Sequence, residues 1–162
     1  MPILRKYMVK VIEIPITEKP TTPVQKHLAK AVEELEYAKA YLVEGKHGEV
    51  IRSIRNAIMN HLLTRVEEIK KADGSKQKRR FLDEGIKEAL LANIPEEARR
   101  DYEAVLDGIQ KRLRSLLNDH LSKFIHLDTG KLIRMPLKED AEYLFTTTLS
   151  LVRYLASLST GG

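Results

Sequence analysis

The sequence predicts an all-α protein, an up-and-down bundle of about five helices preceded by a short β-strand. Three observations carry that prediction. Apolar residues recur at spacings of three and four over most of the chain; turn formers at Gly45, Asp73-Gly74, Asp128-Thr129-Gly130 and Pro136 divide it at helix-length intervals; and one N-terminal stretch is rich in β-branched residues. At 162 residues the chain suits one domain with its own core.

The strand is expected over Arg5 to Ile16, where Val9, Val11, Ile12 and Ile14 offer apolar groups to both faces. A single strand needs a pairing partner for its backbone, which points to a neighbouring domain, a second copy or another protein. Pro15, Pro20 and Pro23 then form an extended linker, so the chain divides into residues 1–23, strand and linker, and 24–162, the bundle. Leu28, Ala31, Val32, Leu35, Ala38 and Leu42 mark one helix, ended by Gly45. Val50, Ile51, Ile54, Ala57, Ile58, His61, Leu62 and Val66 mark the next, packed back on the first as a hairpin. The segment KKADGSKQKRR, residues 70 to 80, reads as a mobile basic loop. A third helix spans about Gln77 to Ala92 with Phe81, Leu82, Ile86 and Leu90 inward. Pro95 opens the longest helix, running to Ile125 with a bend or break allowed at Asp107-Gly108, and Leu137 to Leu158 is the last. Tyr37, Tyr41, Tyr102, Tyr143 and Tyr154 have the spacing of core or interface residues.

Composition narrows the chemistry. There is no cysteine, so disulfides, thiolate metal sites and cysteine nucleophiles are excluded, and a reducing, cytoplasmic setting is expected. No stretch approaches the roughly 20 apolar residues of a membrane span, and no secretory pattern opens the chain. Lys and Arg number 28 against 23 Asp and Glu, a net charge of +5 that is compatible with an acidic partner such as RNA. Abundant Lys, Arg and Glu would also suit a thermophile. Phosphate-binding glycine loops, HExxH and GxSxG are absent, and no metal or cofactor is expected. Glu96-Glu97 and Glu139-Asp140 are first-turn acids that complement helix dipoles.

Histidine is the remaining proton-transfer candidate. His61 and His120 fall on apolar stripes, and each follows an arginine by six positions, Arg55 and Arg114. These pairs, with the opening AVEELEYAKAYLVEGKHGEVIRSIRNAIMNHL, the later HLSKFIHLDTG and the closing EDAEYLFTTTLSLVRYL, make the chain resemble the HEPN family of helical bundles. The resemblance covers residues from about 24 to 158. It implies a homodimer that brings two motifs together and cleaves RNA without a metal, in a defence, toxin or RNA-processing setting. The motif usually lies toward the later helices of that family, which places catalysis on Arg114 and His120, with Asn118 and His126 in support and Arg55 with His61 as the alternative pair. In such a site His would move a proton of the 2′-hydroxyl and Arg would offset charge on the phosphoryl oxygens. Six positions of α-helix turn through about 600°, so Arg114 and His120 share a phosphate only if Arg114 reaches round or the helix breaks. Asn118, Ser122 and His126, spaced by four and extended by Arg114, form a polar stripe that is an alternative site. Lys70, Lys71, Lys76, Lys78, Arg79 and Arg80 are the candidate phosphate contacts, with no interleaved aromatics to stack bases. A non-catalytic dimerisation or scaffold domain is the competing expectation.

Overall fold

A computed structural model describes residues 23–160, a mostly helical chain with one small two-stranded sheet. The N-terminal strand and linker expected before Pro23 lie outside the described residues. Helix α1 covers Pro23–Glu44, and Leu28, Ala31, Leu35, Ala38 and Leu42 are its buried stripe. Gly45 ends it at φ 77°, its N–H donating to the Leu42 carbonyl while the Lys46 N–H reaches the Tyr41 carbonyl at 2.9 Å. This is the paired closure that a left-handed residue after a helix permits.

Helix α2, His47–Asn56, packs against α1 through Val50, Ile51 and Ile54, then widens into a π turn over Ala57–Leu62. The Leu63 N–H donates to Ile58 O, five residues back, at 2.6 Å. The wide turn ends the helix before Thr64, so Val66 is not part of the helical stripe but half exposed on a strand.

The expected basic loop is a β-hairpin instead. Strand β1, Arg65–Lys70, pairs antiparallel with β2, Lys76–Phe81, placing Glu67 opposite Arg79 and Glu68 opposite Lys78. Opposite charges across the ladder offset the repulsion within the run of cations. The turn is built by Gly74 at φ 88° and by Asp73, whose Oδ1 accepts from the Ser75 N–H and hydroxyl at 2.9 and 2.6 Å. Those hydrogen bonds hold the Asp73 carboxyl below its ordinary value. The third helix is shortened in consequence: α3 is Glu84–Ala92, capped by Asp83 accepting from the Ile86 N–H, and Phe81 belongs to the sheet.

Helix α4, Glu96–Ser115, follows Pro95 and runs through Asp107-Gly108 without a break. Only Leu106, Ile109 and Leu113 of its residues are buried, and its main packing partners are α3 and its own continuation, so it borders the core rather than crossing it. It does not reach Ile125 as an α-helix. The backbone becomes a π turn at Leu116–His120 and a 3₁₀ turn at Leu121–Lys123. A loop closed by the Ile125–Leu132 bridge, with Gly130 at φ 73°, leads to α5, Lys138–Thr160. Helices α1, α2, α3 and α5 surround the core, in which Phe145 is the largest fully buried side chain. Tyr37, Tyr143 and Tyr154 are exposed rather than in that core. No helix among the described residues is long and apolar enough to cross a membrane.

Candidate nucleic-acid interface

The hairpin folds over the C-terminal end of α4 and leaves a cleft of about 520 Å³ between them. Five cations line it: Lys78, Arg79 and Arg80 from β2, and Lys111 and Arg114 from α4, facing the two carboxylates of Asp119 and Asp128. Asn118, from the π turn, completes the polar wall. The cations differ in what already holds them. Arg80 donates from one Nη to the carbonyls of Met59 and Leu63 at 3.3 and 3.2 Å, covering oxygens at the end of the first π turn. Lys111 pairs with Asp107 at 3.0 Å. Lys78, Arg79 and Arg114 have no hydrogen-bond or ion-pair acceptor among the described residues.

Arg114 is the most demanding of the three because it is half-buried. Its Nε is buried without a partner, and its guanidinium carbon lies 5.3 Å from the centre of the Phe81 ring. Burial lowers its pKa first and the neighbouring Arg79 second, against a smaller opposing pull from Asp107. A guanidinium does not lose its proton in water, so burial beside a second cation leaves this charge poorly compensated. An anion entering the cleft supplies that compensation.

The structure thus brings together Arg114 and Asn118 with Lys78, Arg79 and Arg80, which were separate candidates in the sequence. It leaves the other candidates outside. His120 is half-buried and rests on Tyr143, ring centres 5.1 Å apart, on a side of the π turn that does not line the cleft. His126 is exposed in the loop, where its backbone pairs with Lys131 and Gly130. Lys70, Lys71 and Lys76 sit at the far end of the hairpin, with Lys76 near Glu68 at 3.8 Å. The alternative polar stripe is partly consumed, since the Ser122 hydroxyl donates to the Asn118 carbonyl at 2.6 Å.

The alternative pair, Arg55 and His61, does not line the cleft either. Arg55 clamps the loop, donating from Nε to Leu127 O at 2.7 Å, and from its Nη atoms to Asn56 Oδ1 at 2.9 Å and Asp128 O at 3.3 Å. Arg52 adds a bond to Gly130 O at 3.2 Å. Because Leu127 and Asp128 line the cleft, these two arginines fix one of its walls. His61 stays half-buried in the first π turn.

Lys111, Asp119, Asp128 and Phe81 were not foreseen as site residues. Lys111 had a signal, three positions before Arg114 and hence on the same helical face. Phe81 had none, because its segment reads as helix. Among the described residues no cluster of three or more His, Asp or Glu side chains could hold a metal ion. No protein-family model matches the chain, no curated protein matches its sequence, and no solved structure matches its fold.

Proposed function

We propose that this chain is a HEPN-like domain directed at RNA, which holds a phosphodiester backbone in the cleft between the β-hairpin and α4. The observation that carries the reading is the convergence there of Lys78, Arg79 and the half-buried Arg114, three cations whose side chains have no acceptor among the described residues. Cations on a strand and a helix end contact phosphates without reading bases, so binding is expected to be tolerant of sequence and steeply dependent on salt. Binding to labelled single-stranded RNA, followed by anisotropy across salt concentrations, tests it. Three neutralised phosphates give a slope of log K against log salt of about −2. A flat salt dependence, or no binding, defeats the proposal.

Cleavage is the stronger form of the same proposal. Arg114 and Asn118 stand in the cleft, whereas His120 and His126 do not line it, so one chain does not present arginine and imidazole to one phosphate. A nuclease centre therefore requires a second copy to bring its imidazole to the first copy's Arg114, which joins homodimerisation and catalysis into one claim. An up-and-down bundle order, a cytoplasmic setting and an N-terminal strand that pairs with a partner belong to the same reading. Cleavage of RNA in EDTA that disappears in His120→Ala, with dimerisation intact, is the expected result. The placement of His120 on Tyr143 favours a second reading, a binding or scaffold domain that does not cleave. RNA binding with no cleavage at any protein concentration would decide for it.

A further inference from the structure

Five arginines of the described chain are half-buried, and four of them donate to protein acceptors: Arg52 to Gly130 O, Arg55 to Leu127 O, Arg65 to Glu67, and Arg80 to Met59 O. Arg114 is the exception. The group it packs on is the ring of Phe81, the last residue of β2, which also carries the Arg65 guanidinium 4.6 Å from its centre. An aromatic face attracts a guanidinium through its quadrupole and leaves the in-plane N–H donors unused. A guanidinium packed on a ring in this way keeps its fork free for another acceptor. The Arg65 end of the arrangement is tied down independently, since Arg65 pairs with Glu67 and lies 3.6 Å from Glu84.

We propose that Phe81 is the positioning residue of the cleft: it holds the Arg114 fork open toward the cavity so that it takes two oxygens of one phosphodiester of single-stranded RNA. The inference rests on the cleft reading above. It explains why the Nη donors of a half-buried guanidinium have no acceptor among the described residues, because the paired oxygens belong to the ligand. It also gives the hairpin a second role: the register that sets Phe81 opposite Arg65 ends β2 at the helix that carries Arg114. A bidentate contact of this kind depends on orientation far more than a lysine contact does.

A double-mutant cycle on the full chain tests it, read by anisotropy with a labelled mixed-sequence single-stranded RNA. Arg114→Gln should weaken binding about tenfold, and the slope of log K against log salt should shrink by about 0.7 as one phosphate contact is lost. Phe81→Leu should weaken binding about fivefold in the wild-type background, with the same loss of slope, and have no further effect when Arg114 is already Gln. Phe81→Tyr, which keeps the ring face, should bind within about twofold of wild type. Phe81→Met serves as a second truncation if the leucine variant does not fold. Equal losses from Phe81→Leu in both backgrounds would show that the ring supports the hairpin and not Arg114, and would overturn the assignment, as would a harmless Phe81→Leu. Those outcomes leave the cleft standing, whereas a wild-type protein that binds no RNA removes cleft and assignment together.

Discussion

Two segments of this chain carry one short pattern, an arginine six residues ahead of a histidine where an α-helix widens into a π turn, and their arginines have opposite surroundings. Arg55 donates to two backbone carbonyls and one side-chain amide. Arg114 donates to nothing among the described residues and faces a cleft instead. Burial lowers the pKa of both, and each has a second arginine nearby, Arg80 for the first and Arg79 for the second. The difference lies in the acceptors. A sequence pattern fixes residue type and spacing, but the role follows from which oxygens the rest of the fold delivers.

If that contrast is right, the two arginines respond to substitution in opposite ways. The largest effect is expected for Arg55→Met, which leaves the part-buried Leu127 carbonyl without its donor and releases the loop: a loss of about 2–3 kcal/mol of stability, measured by denaturant unfolding. A change under about 0.5 kcal/mol there would erase the contrast, since such values are usual for surface positions without a structural role. Gly130→Ala comes next, at about 1–2 kcal/mol, because φ is 73° and a new Cβ would stand 3.2 Å from an Arg55 Nη. Combining it with Arg55→Met should give less than the sum, since the methyl then meets no guanidinium. The smallest change in stability belongs to Arg114→Gln, within about 0.5 kcal/mol of wild type or slightly above it, because a poorly compensated charge is removed. Marked destabilisation by Arg114→Gln would mean that the guanidinium is structural after all.

The helical stripes were legible because they are local. Leu28, Ala31, Leu35, Ala38 and Leu42 lie on one face of α1 whatever surrounds it, and all five are buried. Gly45 was legible as a stop for the same reason, since only its φ had to be positive. The hairpin was not legible in this way. RVEEIK and KQKRRF contain few apolar residues, so neither strand shows a buried alternation, and both are largely exposed. What holds them is the backbone ladder from Arg65 opposite Phe81 to Lys70 opposite Lys76, a pairing that no local apolar pattern along the chain announces. The π turns escaped notice because a single extra residue in a turn leaves the apolar stripe nearly unchanged.

By itself the amino-acid sequence determined a mostly helical chain without cysteine chemistry, basic in balance, with Arg114, Asn118 and a cationic run as candidates for phosphate. Only the tertiary structure decided that Arg114, Asn118, Lys78, Arg79 and Arg80 share one cleft, and that His120 rests on Tyr143 outside its lining. The physical reason is distance along the chain. Helical burial is set by neighbours three and four positions away, whereas a site joining residue 79 to residue 114 depends on the register of one hairpin and on where one helix stops being α.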